Sequence, residues 1–382
     1  MKKRVIILGA TGSIGRSTVS VIEALPDTWE VVGLAAGSRW SDLGEMAARL
    51  NVPAVAIHDE ANVDKLRNLT NGATLFAGPQ AMRDLIAETD CDCVVSGVVG
   101  ASALSATILA AQQGRRIALA NKEALVIAGS LLMPLARRHG ADIIPVDSEH
   151  SAIFQALGAG RRDEVHKVYL TASGGPFRTW TRDAMENATL DDALQHPTWD
   201  MGPKISIDSA TMMNKALEIV EARWLFDLQV EQIQVVIHPE SIIHSCVEYT
   251  DGSMIAQLGM PDMRVPIQYA LTYPGRMPCP APRLDLAKAG SLSLHPPDLE
   301  SFPALRLGFE SAKRGGTCGA VLNAANEEAV DLFRRNAISF TDIARIVENT
   351  LAKHEVKDAP TLDDLIDADR WARTEVTRCT TC

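Results

Sequence analysis

The sequence has no run of apolar residues approaching the roughly 18–20 that a membrane-crossing helix needs, so no transmembrane segment is expected. It has no basic excess either. Asp and Glu number 48 against 37 Lys and Arg, and the net charge of −11 excludes a general nucleic-acid binder while leaving room for a local positive site that holds a small anion. Cysteine is sparse: seven residues, odd in number and scattered, form no disulfide framework and fit a reducing cytoplasm. Cys379 and Cys382 end the chain as CTTC and read as an inert tail, since no second pair or helix follows them. Internal repeats and low-complexity segments are absent, which excludes solenoids. The start, MKKRVIILGATG, puts basic residues before an apolar run of residues 5–8 only, too short for the core of a secretory signal.

What is present is alternation. KRVIILGA, EVVGLAAG, AVAIHD, CDCVVSGVV, RRIALAN and ADIIPVD read as continuous apolar strands, with STVSVIEALP, WSDLGEMAARL and SALSATILAAQQ as helices between them. Such a pattern predicts a parallel sheet covered on both faces. After about residue 150, VHKVYLTA, IQVVIHPE, IIHSCVEY and SMIAQLG read as strands, the last two joined by a hairpin turn at residues 250–252. Residues 274–298 are rich in proline without a helical period and read as a linker; helical segments follow. A chain of 382 residues exceeds the roughly 250–300 that one core supports. The expectation is α/β overall: a Rossmann-like parallel-sheet domain at 1–146, a central α+β catalytic domain at 147–273, the linker, and a helical domain at 299–382.

Gly9, Gly12 and Gly15 in LGATGSIGRS sit between the first strand and the first helix, where backbone amides and the helix N-terminus can receive a pyrophosphate. The second strand ends in Gly37, Ser38 and Arg39, with no acidic residue to hold a ribose 2′-hydroxyl. A hydroxyl and a guanidinium suit a 2′-phosphate, so NADP is favoured over NAD.

At the end of the last apolar strand stand Asp147, Ser148, Glu149 and His150. On an extended backbone, Asp147 and Glu149 can point to one side and bind a hard divalent cation; alternatively the segment is a helix cap with acidic first-turn residues. Asn214 and Glu218 lie one helical turn apart and share a face, which makes Glu218 a third candidate ligand. TASGGPF offers Ser173 before two glycines, and IDSATMMNK is expected to open a helix with Ser209 near its start, delivering Asn214 and Lys215; both suit a phosphate. LANKEAL places Asn121, Lys122 and Glu123 at a strand end, beside the expected nicotinamide. QHPTWDMG, with His196, Trp199 and Met201, reads as a mobile cover.

In this order, GATGSIG, LANKE, VDSEHSAIFQ, TASGGPF, HPTWDMG, KISIDSATMMNKALE and LGMPDMR resemble the 1-deoxy-D-xylulose 5-phosphate reductoisomerase family of the non-mevalonate isoprenoid pathway. The resemblance runs along essentially the whole chain, AVLNAANEEAV included; DSATMMNKALE is its most specific stretch. It implies that Thr11, Gly12, Ser13 and Ile14 hold the NADPH pyrophosphate, Gly37, Ser38 and Arg39 its adenosine phosphate, and Asn121, Glu123 and Gly202 the rest of the cofactor. Arg39 stands where members often have asparagine. The resemblance further implies one divalent cation (Mg²⁺, Mn²⁺ or Co²⁺) on Asp147, Glu149 and Glu218, with Lys122 and Ser148 at the reacting carbons. Ser173, Ser209, Asn214 and Lys215 would take the substrate phosphate, and His196, Trp199 and Met201 would form the flap. The implied reaction is rearrangement and reduction of the ketose phosphate to 2-C-methyl-D-erythritol 4-phosphate by a cytoplasmic homodimer without nucleic-acid or membrane partners. Another NADP-dependent dehydrogenase would account for the first 120 residues but not for a carboxylate triad joined to a phosphate site; a non-catalytic NADP sensor would leave the triad unexplained.

Overall fold

The computed structural model describes residues 1–70, 72–199 and 201–380, with side chains to residue 378. Of the terminal CTTC, Cys382 and the side chain of Cys379 lie outside what is described. The chain divides into two compact units. The first comprises residues 1–124, 132–151 and 262–282; the second comprises 125–131, 152–261 and 283–382.

The first unit is built on seven parallel strands: β1 (Lys3–Leu8), β2 (Trp29–Ala36), β3 (Ala54–Ile57), β4 (Thr74–Ala77), β5 (Cys93–Ser96), β6 (Arg116–Leu119) and β7 (Ile143–Pro145). Their order is β4-β3-β2-β1-β5-β6-β7. Residues 5–8 of β1 are fully buried, as an apolar strand covered on both faces must be. The chain order reverses beside β1, between its pairings with β2 and β5. In such sheets that reversal opens a crevice beyond the strand C-termini. The sequence reading placed every strand here except β4, a four-residue, partly exposed edge strand with too little pattern to register. The Arg264–Thr272 helix, distant in sequence, belongs to this unit. Arg116 fastens its end, donating to the carbonyls of Leu271 (3.4 Å) and Tyr273 (2.8 Å) while its guanidinium lies over the Tyr273 ring.

The second unit contains β8 (Val165–Ala172), β9 (Ile233–Ile237), β10 (Ile243–Tyr249) and β11 (Met254–Leu258), ordered β11-β10-β8-β9. The β10–β11 hairpin turns at residues 250–252 as expected, its corner held by the Asp251 carboxylate accepting from the Ser253 amide (2.8 Å) and hydroxyl (3.0 Å). The Cys318–Arg334 helix is buried along most of its length, through small residues such as Ala320, Ala324 and Ala325. Among the described residues, no helix is long and apolar enough to cross a membrane.

Candidate active site

In the first unit the chain leaves β1 at Gly9, whose φ is +80° and where an added Cβ would lie 2.5 Å from the Gly97 carbonyl oxygen. Only glycine permits both the left-handed backbone and this approach. The Ser13–Glu23 helix then starts at Gly12 with no side-chain cap, which leaves its first amides for an anion. Arg39 begins the next helix, exposed, 3.9 Å from Asp42. Arg16 also reaches Asp42, at 2.7 Å, and donates to the Thr11 carbonyl at 3.2 Å. Sequence reasoning missed Arg16, although it stands within the quoted GSIGRS.

At the end of β6, Asn121 is buried and its amide group serves the protein. Nδ2 donates to the carbonyls of Val98 and Gly100, and Oδ1 accepts from the Ala124 amide at 2.9 Å. Asn121 thereby ties the β5 loop to the start of the Glu123–His139 helix. Lys122 and Glu123 beside it are buried. Lys122 Nζ donates to Asp147 Oδ2 at 2.8 Å, joining the ends of β6 and β7.

The backbone after Asp147 is helical, not extended: Ser148–Ala156 is a helix and Asp147 caps it. Asp147 Oδ1 accepts from the amides of Glu149 (3.1 Å) and His150 (3.3 Å) and from His150 Nδ1 (3.0 Å). The expected alternation of Asp147 and Glu149 along a strand is therefore corrected. The carboxylate satisfies helix-start amides that would otherwise lack partners, and this selects the turn. Ser148 Oγ donates to Glu149 Oε2 at 2.5 Å. His150, fully buried, was quoted in the sequence motif without a role; its bond to Asp147 orients that carboxylate.

In the second unit, β8 runs into Ser173 and the two glycines. Gly175 has φ +67°, and a Cβ there would lie 2.5 Å from the Ser209 carbonyl oxygen, so the two candidate phosphate segments touch at backbone level. Ser173 Oγ lies 2.9 Å from His196 Nε2. His196 Nδ1 accepts from the amides of Thr198 (3.2 Å) and Trp199 (3.0 Å), which leaves the proton on Nε2 to be donated to Ser173. Burial and then the positive charge of Arg178 push the His196 pKa down to about 4, so the ring is neutral near pH 7.

Ser209 does not open the Asn214 helix. It lies in the last turn of the Pro203–Ala210 helix, which Gly202 caps and Pro203 starts. Thr211 Oγ1 then folds back onto the carbonyls of Ile207 (3.1 Å) and Asp208 (3.2 Å), and Met212 takes a left-handed φ of +60°. A new helix, Met213–Leu225, follows. The expected single helix start is thus two helices with a sharp break between them, because the threonine hydroxyl competes for the backbone. Asn214 and Glu218 do share a face: Nδ2 donates to Oε1 at 2.6 Å, and Lys215 Nζ donates to Oε2. Lys215 and Glu218 are both buried.

Models of 1-deoxy-D-xylulose 5-phosphate reductoisomerase match residues 5–129, of its C-terminal domain residues 143–226, and of the DXP reductoisomerase C-terminal domain residues 258–375. The reductoisomerase of Pelotomaculum thermopropionicum is 50% identical over 374 residues, 97% of each chain. The chain belongs to the 1-deoxy-D-xylulose 5-phosphate reductoisomerase family.

Another member of this family, from Pelodictyon phaeoclathratiforme, is 50% identical over 369 residues, 96% of this chain and 97% of that one. Among solved reductoisomerase structures, that of Zymomonas mobilis in complex with NADPH superimposes with a TM-score of 0.94 at 43% identity, covering 100% of this chain and 99% of that one. A reductoisomerase in complex with NADPH, fosmidomycin and magnesium gives 0.93 at 41% identity, covering 99% and 98%.

Proposed function

We propose that this chain rearranges and reduces 1-deoxy-D-xylulose 5-phosphate to 2-C-methyl-D-erythritol 4-phosphate, using NADPH and one divalent cation. Family membership over 97% of the chain carries the reading. The residues that membership implies fit the groups they would hold. The uncapped helix start after Gly12 suits the cofactor pyrophosphate. Carboxylate oxygens from Asp147, Glu149 and Glu218 suit a hard cation such as Mg²⁺ or Mn²⁺. The bonds to Asp147 from Lys122 and His150 are of the outer kind that orients a metal ligand. When bound, the cation polarises the substrate carbonyl and offsets developing negative charge, and NADPH supplies the hydride.

The chain's own groups then bind and orient. Ser173, Ser209, Asn214 and Lys215 hold the substrate phosphate, a handle remote from the breaking bond whose binding energy orients the reacting carbons. Lys122 and Ser148 face those carbons. Ser38 and Arg39 take the 2′-phosphate, with Asn121, Glu123 and Gly202 completing the cofactor site. The 196–201 segment, with His196, Trp199 and Met201, acts as a cover that excludes water. We place the enzyme in the cytoplasm, in keeping with described cysteines that are free and in part buried. Two copies would pair through β11, the outer strand of its sheet, on which Met254 and Ile255 are exposed. On this reading, Ile255→Lys shifts the sedimenting species from dimer to monomer.

The test is spectrophotometric: NADPH oxidation on adding the ketose phosphate, in the presence and absence of Mg²⁺ or Mn²⁺. Oxidation that requires both the sugar phosphate and the metal is expected. Absence of turnover with metal, or full turnover after exhaustive chelation, contradicts the proposal.

A further inference from the structure

The Asp208 carboxylate is buried on the helix that carries Ser209, one residue before it. Its Oδ2 accepts from Lys204 Nζ at 2.6 Å, one turn back on the same helix. Its Oδ1 accepts from Asn326 Nδ2 at 2.8 Å, from a residue 118 positions further along the chain. Asn326 is fully buried on the Cys318–Arg334 helix, and its Oδ1, also buried, has no protein partner among the described residues. The unsatisfied Oδ1 costs stability, whereas Nδ2 makes a charge-assisted bond to a buried carboxylate, and a leucine in its place would leave Asp208 Oδ1 without this donor. The bond to Asp208 does something more specific: it fixes where the last turn of the Pro203–Ala210 helix sits.

That position matters because the clearance is small. The Ser209 carbonyl presses on Gly175 so closely that no side chain fits at 175. Ser173, two residues earlier, accepts through its hydroxyl from the Gly175 amide at 3.2 Å. Beyond Ser209 the helix breaks at Met212, so no continuous helix steadies this turn from the C-terminal side. The distance between the Ser173 and Ser209 hydroxyls therefore follows how firmly the turn is drawn to Asn326.

We infer that Asp208 and Asn326 are a positioning pair that sets the Ser209 side of the phosphate site. The pair tunes affinity for the phosphorylated end of the substrate and leaves the chemistry at the reacting carbons alone. This rests on the phosphosugar reading above.

Steady-state kinetics on the full chain test it. Asn326→Leu raises KM for the ketose phosphate roughly tenfold, the worth of one charge-assisted hydrogen bond, with kcat within about twofold and KM for NADPH unchanged. Asn326→Asp, which sets two carboxylates face to face, does the same or more. Combining it with Asp208→Asn reverses donor and acceptor and brings KM back to within roughly threefold of the original, as a coupled pair requires. Should Asn326→Leu fail to fold, Asn326→Ser, too short to reach Asp208, gives the same reading. An unchanged KM in the single variants, a fall in kcat with KM constant, or a swapped pair that regains thermal stability but not KM overturns the positioning role. Wild-type protein that never consumes NADPH with the ketose phosphate removes the phosphosugar reading itself.

Discussion

The strand-end carboxylates of the first unit and the phosphate segments of the second are organised on different length scales. Asp147 is held by the next three residues of its own chain, through the amides of Glu149 and His150 and the His150 ring, and by Lys122 at the end of the neighbouring strand. The phosphate segments depend on contacts that local sequence does not contain: Gly175 against Ser209, Ser173 against His196, Asp208 against Asn326. A charged group positioned by a helix cap is rigid at little cost, since the amides needed partners anyway. A cradle assembled from separate segments can close on a ligand, and it is correspondingly sensitive to remote substitutions.

The largest expected effect lies with a buried carboxylate of the second unit. Glu218 is fully buried and bonded to Asn214 and Lys215, so Glu218→Gln removes a buried charge and the proposed metal ligand together. We expect kcat/KM to fall by roughly a hundred- to thousandfold at fixed metal, in line with breaking a buried pair. Partial recovery should follow as metal is raised, with NADPH binding, followed by fluorescence, unchanged. Metal dependence identical to wild type would detach Glu218 from the cation.

Next comes Lys215→Met, expected to lower kcat/KM ten- to a hundredfold, at roughly 1.5–3 kcal/mol for a charge-assisted bond. The loss should shrink on a substrate without the phosphate. Equal losses on both substrates would show Lys215 serving Glu218 alone and would move it from the cradle to the carboxylate site.

How much was legible follows the same division. The strand ends bearing Asn121, Lys122 and Asp147 could be read because an apolar run followed by polar residues is a local signal. The cap at Asp147 was legible as an alternative, and the helix after it settled the backbone geometry. The break between Ser209 and Asn214 was hidden because SATMM has ordinary helix formers around it, and the decisive bonds run from the Thr211 hydroxyl to earlier carbonyls. Asp208 and Asn326 stand in the DSATMMNKALE and AVLNAANEEAV stretches, but no role for either was legible there, since each acquires its meaning from the other. For the same reason a pass along the chain has no means of seeing residues 262–282 join the first unit.

Arg39→Ala should have a smaller effect. Arg39 is exposed, and Asp42, which it shares with Arg16, lies at 3.9 Å, so its guanidinium is held loosely enough to turn to a 2′-phosphate. KM for NADPH should rise roughly tenfold, while KM for NADH and kcat at saturation stay nearly constant. Equal losses for both cofactors would return Arg39 to a structural role, with Arg16 the next residue to replace.

The smallest effect is a pH dependence. The folded-state pKa of His196, about 4, lies below its ordinary 6.5, so the neutral ring is the form that folding favours. Its contribution is fully present above pH 6.5 and is lost as pH falls towards 4. The Tm advantage of wild type over His196→Asn should therefore shrink across that window. An advantage that grows on acidification would mean that the charged ring is the bonded form and that the Thr198 and Trp199 amides have another acceptor.

The most direct test of the whole account is a product balance. Incubating the enzyme with 1-deoxy-D-xylulose 5-phosphate, NADPH and Mg²⁺, and following ¹³C NMR beside the absorbance of the cofactor, should show one branched tetritol phosphate formed for each NADPH consumed. Both should stop on chelation. NADPH consumed with the carbon skeleton left unbranched would mark a simple carbonyl reductase and contradict the account.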